Sequence, residues 1–425
     1  MADPTPFYPR CVVAITLLME DWGAGTSTPY TLTVTPRQVE IVRNDHRTAD
    51  TCTVTLDFRD FPFDPRTFSA GIVQVALADV GAPDGVIDVD ANLQFAGVID
   101  TPRSTRGEDG ATVTLECRDF TAYFLDHVWT GGAIKIDVPL ADVVQAIVDA
   151  VPGADGLQQG FSSGISSLTL GTIFGRTVYT PQPKDDAWTI LCDILGRVGV
   201  VPVVSADMLL MLTPADFGVD RNTFNSSGSV VSPVAVTMAY GVNLRSLAYL
   251  RRFKEARTLQ VEVRAWDEAK RAVTTARYPA AAIVTKRKVS ASGKVKEEAA
   301  PILPFYVSGA YTDAQLTEVA ERVWTEAARQ EIEVTLETMD LVDLTGIDLP
   351  SVGNGTRLTV DIQPSIAADI ASESQAEAIA RLTSGDRALA VDVATAFVAG
   401  FQSANNLAVQ FYVREARHSW SREDG

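Results

Sequence analysis

Histidine is scarce in this sequence. Among 425 residues there are three, His46, His127 and His418. None stands at metal-ligand spacing from another histidine, a cysteine or a carboxylate pair, so neither a zinc site nor a histidine-dependent triad is expected. Cysteine is almost as rare. Cys11, Cys52, Cys117 and Cys192 lie far apart, with no C-x-x-C. Each falls in an apolar or alternating stretch, which reads as small buried thiols in a reducing compartment. Basic charge is in deficit: 36 Lys+Arg face 54 Asp+Glu, a net charge of −18, which argues against a general nucleic-acid binder. No apolar run reaches the roughly 18 residues of a membrane span, and Cys11–Met19 is far too short. The opening Met1-Ala2-Asp3-Pro4-Thr5-Pro6 has no basic stretch and is not read as a secretory signal, which fits synthesis in a cytoplasm.

What is present is ordinary for a folded protein: 46% hydrophobic and 21% charged residues. That excludes a disordered tail, a collagenous fibre and a small disulfide scaffold. The length suggests about two to four domains.

The pattern along the chain changes three times. From Cys11 to about Trp129 it has period two, as in Thr51-Cys52-Thr53-Val54-Thr55-Leu56-Asp57-Phe58 and Ala111-Thr112-Val113-Thr114-Leu115-Glu116-Cys117. Alternation of this kind predicts half-buried antiparallel strands, punctuated by turns at 61–65, 81–85 and 107–110. A first β-barrel domain is expected over 1–129. Residues 130–233 predict a small mixed α/β domain. Leu140, Val143, Val144, Ile147 and Val151 stand at helical spacing ahead of Pro152-Gly153. Trp188, Ile190, Leu191, Ile194, Leu195 and Val198 repeat the signal. A hairpin is expected over Val200–Val204 and Met208–Leu212, and loops over Gly156–Gly175 and Gly218–Pro233. Strands return in a second β-barrel domain over 234–366, at Val234–Tyr240, Leu247–Arg252, Leu259–Trp266, Ile332–Leu336 and Thr356–Ile362. Between them Thr312 caps a helix running to about Arg329, with Leu316, Val319, Ala320, Val323, Trp324 and Ala327 on one face. Residues 367–404 predict a helical insertion. The last segment, 405–425, is expected to supply the closing strand of the second barrel, Leu407–His418. The fold class is therefore mainly β (α+β), two similar antiparallel barrels separated by a small mixed domain.

A shift of 207 residues superposes Arg47–Asp60 on Lys254–Asp267 without a gap. A basic residue, Ala, Thr, Val, an aliphatic residue and Asp recur in register, which suggests that the two β regions are duplicates.

Signals for catalysis are poor. Gly160-Phe161-Ser162-Ser163-Gly164 matches G-x-S-x-G, but neither the expected strand before it nor the helix after it is apparent. Asp79, Asp84, Asp88 and Asp90 lack the ligand order of a calcium loop. No phosphate-binding glycine loop follows a strand. No catalytic, cofactor-binding or metal residue is assigned, and no cofactor is expected. Charge is more informative. Residues 245–298 hold fourteen basic and six acidic side chains, a net of +8 that leaves −26 on the rest of the chain. Complementary fields of this kind favour self-assembly or docking on another charged protein. Lys286-Arg287-Lys288, Lys294 and Lys296 flank a hairpin tip at Ser290–Gly293, without the interleaved aromatics that stack on bases.

Tyr240-Gly241-Val242-Asn243-Leu244, followed by Val261-Glu262-Val263-Arg264-Ala265-Trp266-Asp267, resembles the late control protein D family, the baseplate hub proteins of contractile phage tails. Phe95-Ala96-Gly97-Val98-Ile99 with Val113–Phe120 and Leu125 is similar to that family's first-barrel ending. Asp185–Leu212, the helix near Asp313–Arg329 and the strand ending in His418 follow in the family's order. Residues 367–404 depart from the pattern, and the spike domain of the related type VI spike proteins is expected on a separate chain. The resemblance implies a structural, non-enzymatic virion protein of the tail tip or baseplate, assembled in the bacterial cytoplasm. It implies a homotrimer whose doubled barrels present six similar positions to the hexameric tail tube protein and three to the central spike protein. Other baseplate proteins would be neighbours, no membrane would be involved, and DNA would only pass through an acidic lumen. A hub of a tailocin or phage-derived injection device shares these features. Two further readings stay open: a hydrolase using Ser162 or a carboxylate pair, and a glycan-binding tail-tip protein.

Overall fold

In the computed structural model of the chain, the described residues lie within 9–214, 235–338, 357–361, 410–412 and 416–422. Short internal stretches are left out, the longest being 252–259. The protein is mainly β.

The first sheet is built by β1 (Pro9–Asp21), β2 (Thr26–Val34), β3 (Gln38–Arg43), β4 (Thr51–Asp57), β5 (Phe68–Asp79), β6 (Leu93–Gly107) and β7 (Gly110–Asp119). Its strand order is β2-β1-β5-β6-β7-β4-β3, and every pairing is antiparallel. The predicted alternation is obeyed. Cys52, Val54 and Leu56 point inward on β4, and the threonines between them do not. Inward residues from β1, β3, β4, β5, β6 and β7 belong to one contiguous core. A sheet whose single face meets itself in this way must curl. Phe61 and Phe68 close the core edge to face, with ring centroids 6.5 Å apart. Gly97 is required where β6 crosses β7: a Cβ there would lie 2.0 Å from the Arg118 carbonyl oxygen.

A short helix, α1 (Thr121–Leu125), leads from β7 into the second unit. This unit contains β8 (Ile134–Lys135), α2 (Leu140–Ala150), β9 (Gln158–Phe161), β10 (Val178–Tyr179), α3 (Ala187–Gly196), β11 (Val200–Val204) and β12 (Leu209–Pro214). Both helices lie where their apolar spacing places them, and Leu140, Val143, Val144, Ile147, Trp188, Ile190, Leu191, Ile194 and Leu195 are buried. Asp186 caps α3, accepting from the Thr189 amide at 2.7 Å. The β11–β12 hairpin is antiparallel as expected. The segment expected as a loop from Gly156 instead contains β9, which pairs parallel with β12. Its sequence, Gln-Gln-Gly-Phe, carries no alternation to announce it; the ladder along β12 supplies its hydrogen bonds. The core of this unit also takes in Ala96, Phe120 and Phe124, so it runs across residue 129 into the end of the first sheet.

The third region holds β13 (Ala235–Ala239), β14 (Ser246–Arg251), β15 (Gln260–Asp267), β16 (Ala272–Tyr278), β17 (Thr285–Val289), β18 (Val295–Ala299), β19 (Ile302–Val307), α4 (Asp313–Arg329), β20 (Ile332–Glu337) and β21 (Arg357–Asp361). Val319, Val323 and Trp324 of the face predicted for α4 pack on the cluster of β15. Leu316 and Ala320 are buried against Val261, Val263 and Ala265 of β15. Thr312, Gly218–Pro233 and the stretch 367–404 lie outside the described residues.

Two expectations need correction. The strand expected over Leu407–His418 is two strands with different partners. β22 (Gln410–Tyr412) pairs with β21, but β23 (Ala416–Ser421) pairs antiparallel with β3 and becomes the eighth strand of the first sheet. It therefore does not close the second β region alone. Trp420 packs on the first core. The Arg422 guanidinium donates to the Thr35 carbonyl at 2.6 Å and to Asp57 at 3.0 Å. The register of β23 is chosen by this packing and clamp, which local periodicity does not encode. Second, Val54 and Val261 both stand buried on alternating strands, but their settings differ. β4 is flanked by two antiparallel partners, whereas β15 has antiparallel β16 on one side and parallel β19 on the other. The 207-residue repeat is thus a likeness of strand pattern and does not extend to the pairing.

Three of the four thiols are buried in the first core, with Cys52 directly opposite Cys117 in the ladder. Burial pushes the Cys11 thiol up to about 12 and raises Cys52 and Cys117 as well. At pH 8, maleimide should label no more than Cys192 in the native chain and all four thiols in denaturant, as read by intact mass. Removing the residues after Tyr412, or Trp420→Ala alone, should destabilise the first sheet. The single substitution should cost about 2 kcal/mol in urea unfolding.

Candidate functional site

Among the described residues, the polar residues that stood out in the sequence do not converge on a reactive cleft. Ser162 lies outside the described residues, just after β9. His46 and His127 serve α3 through their backbones. The His46 carbonyl accepts from Trp188 Nε1 at 2.8 Å, and the His127 carbonyl accepts from the Ala187 amide at 3.0 Å. His418 sits on β23 opposite Ile41. Asp88 organises its own turn, its Oδ1 accepting from the amides of Asp90 and Ala91 at 3.1 and 3.3 Å; Asp84 lies outside the described residues. Among the described residues no cluster of three or more His, Cys, Asp or Glu is arranged to hold a metal. Lys286, Arg287 and Lys288 fall on β17, and Lys296 on β18. The expected hairpin is present, and its register sets Lys286 opposite Glu298 and Arg287 opposite Glu297. Its tip lies outside the described residues.

The structure brings together other polar groups. On β3 the inward positions run Val39, Ile41, Arg43, so the strand's own period carries a guanidinium into the interior. Arg43 and Asp50 are each 2% exposed. Their side chains meet at 3.4 Å, and Arg43 also donates to the Gln94 carbonyl. Asp50 accepts from the Asn44 amide at 2.9 Å. This pair stands beside a small pocket at the junction of the first two units, lined in part by His46, Asp119 and Trp188. A charge at the inward end of an alternating strand was the signal for it, passed over because no motif includes it. On the outer surface Arg118 forks to Asp100 and Asp126, 2.9 and 2.8 Å away, tying β6 and β7 to the residue after α1.

The motif around Asn243-Leu244 lies at the start of the β14–β20 ladder. Both residues are buried, and the Thr338 hydroxyl donates to the Asn243 carbonyl at 2.6 Å. Beyond it, β15, β16 and β19 form a three-stranded sheet. One face covers α4. On the other, the register aligns Glu262 with Arg277 and Pro304, Arg264 with Thr275 and Tyr306, and Trp266 with Val273. Glu262 is held between Arg264 Nε at 2.6 Å and Arg277 Nε at 2.5 Å. These hydrogen bonds, Arg264's first, keep its carboxyl below the usual carboxylate range. The Arg264 guanidinium lies 5.8 Å from the centre of the Tyr306 ring.

The chain is similar in structure to the tail protein from Neisseria meningitidis MC58, at 14% identity over 98% of this chain and 94% of that one, with a TM-score of 0.58. It is also similar to the 43 kDa tail protein of prophage MuSo2 from Shewanella oneidensis, at 12% identity over 84% of this chain and 89% of that one, TM-score 0.49. A Francisella PdpA–VgrG complex gives 10% identity, covering 71% of this chain and 44% of the other, TM-score 0.38. The first likeness is one of fold, and it runs nearly end to end. No family model matches the chain, and no curated protein does. Among the described residues no helix is long and apolar enough to cross a membrane.

Asp50→Ala should destabilise the junction by about 3 kcal/mol, because it removes one partner of a buried ion pair. Replacing Arg43 and Asp50 together by apolar residues should cost less than that. Urea unfolding of the three proteins checks both.

Proposed function

We propose that the chain is a structural component of a phage tail and, within the tail, the hub that joins the tube to the central spike. The observation that carries this reading is the fold shared with a tail protein along 98% of the chain. The order of short motifs that resemble the late control protein D family agrees with it. Charge and the sheet faces supply the physical support. The acidic bulk with one basic stretch favours ordered association among copies. Of the polar residues weighed for catalysis, Asp88 organises its own turn. In this reading the hub is a homotrimer without catalytic activity, located at the tail tip or baseplate, with DNA only passing through it. A six-fold match to the tube would have to come from strands other than β4 and β15, whose partners differ.

The test is the native mass of the purified chain, alone and with its neighbouring tail proteins. A species three times the 45.7 kDa chain, incorporated into tail particles, is expected. A persistent monomer that never enters particles would refute the hub.

A further inference from the structure

Two of the thiols in the first core are placed as a pair. Cys52 on β4 and Cys117 on β7 stand directly opposite each other in an antiparallel ladder, and both are buried, 1% and 3% exposed. The kind of rung they occupy follows from the two ends of the same ladder. The Phe58 amide donates to the Ala111 carbonyl at 2.9 Å, and the Asp119 amide donates to the Asp50 carbonyl at 2.9 Å. Hydrogen-bonded rungs alternate with open ones. Stepping by two from the Phe58/Ala111 rung to the Asp50/Asp119 rung makes Cys52/Cys117 a hydrogen-bonded rung. Such a rung holds its Cα atoms about 5.5 Å apart, which meets the separation of about 5.5–6 Å most common across a disulfide. Facing Cβ atoms on such a rung stand about 5 Å apart or more, against about 3.8 Å across a disulfide. The strands must draw together to make the bond, and that strain leaves it easily reduced.

We propose that Cys52 and Cys117 are a reversible modification site, closing to a cross-strand disulfide when the folded chain meets a peroxide. One thiol gives up its proton, and its sulfur attacks a peroxide oxygen. The O–O bond breaks, leaving a sulfenic acid and a hydroxide that takes the proton to become water. The facing thiol then attacks the oxidised sulfur, the S–S bond forms, and the oxygen leaves as a second water. Two thiols and one hydrogen peroxide thus give one disulfide and two waters, with two electrons passing from sulfur to oxygen. The pair lies one rung inside the end of the β4–β7 ladder, where Thr51 faces Arg118. Opening of that end exposes the thiols without unfolding the sheet. Burial raises both thiols, so the reaction is slow at neutral pH and quickens as the pH rises. Cys11 of the same core faces Leu77 and has no cysteine opposite it. In reducing surroundings the pair stays open; in oxidising ones it pins two interior strands of the first sheet. None of this depends on the hub reading.

Counting thiols tests it. The full chain carrying Cys192→Ala, which removes the one thiol that is not fully buried, is treated natively with hydrogen peroxide and then labelled with maleimide in denaturant. The count should fall from three to one, and a reductant added before labelling should restore three. A non-reducing digest should yield a peptide that joins the Cys52 and Cys117 segments. Adding Cys117→Ala should hold the count at two, whereas adding Cys11→Ala instead should let it fall from two to none. The loss should run faster at pH 9 than at pH 7. A native chain that keeps all three thiols at pH 9, that loses them in a form no reductant restores, or that joins Cys11 to another cysteine overturns the proposal. If Cys117→Ala fails to fold, the joined peptide from the parent chain decides by its presence or absence.

Discussion

The first sheet has one apolar face, and that face must be hidden from water. Six of its strands point inward side chains into a single core, and this forces the curl that sets the shape of the N-terminal half. Strand length, the glycine at the β6–β7 crossing and the edge-to-face phenylalanines all serve that closure. The second unit is attached by the same means, its core running without a break into Phe120 and Phe124. The two cores are continuous in sequence at α1, where Phe124 lies against Trp188 with ring centroids 5.7 Å apart.

Polar groups enter this apolar frame at few places, and each is held by several partners. Arg43 and Asp50 share a buried position beside the junction, where removing either would break a buried ion pair. Arg118 and Arg422 do comparable work at the surface through forked contacts that are partly open to water, where each bond is worth less. Such groups add little net stability compared with apolar side chains, but they discriminate sharply against wrong registers. That discrimination matters for strands such as β3 and β23, whose pattern of alternation alone would tolerate many partners.

Period-two and period-3.6 patterns are local, and what they encode was legible. Most strand positions, the buried stripes of α2, α3 and α4, and the turn clusters around Phe61 and Gly107 could be read directly. Pairing is not local. Nothing within Ala416–Ser421 states that its partner is Gln38–Arg43, because the choice depends on Trp420 meeting a core formed elsewhere. The similarity of Val54 and Val261 misled for the same reason: two inward valines on alternating strands look alike whether the neighbouring strand runs parallel or antiparallel. β9 was missed because two glutamines and a glycine have no strand signature of their own. The aromatic sheet face was visible only as the motif residue Trp266; its companions on β16 and β19 come from segments that seemed unrelated until the register aligned them.

The return of β23 to β3 has a consequence in time as well as space. The edge of the first sheet is completed by a strand far downstream in the sequence, so the N-terminal half must wait with that edge uncovered until β23 has been made. A crowded host cell offers many other strands to an edge in that state. Only a chain made as far as β23 can shield itself there, and one terminated before it would stay adhesive.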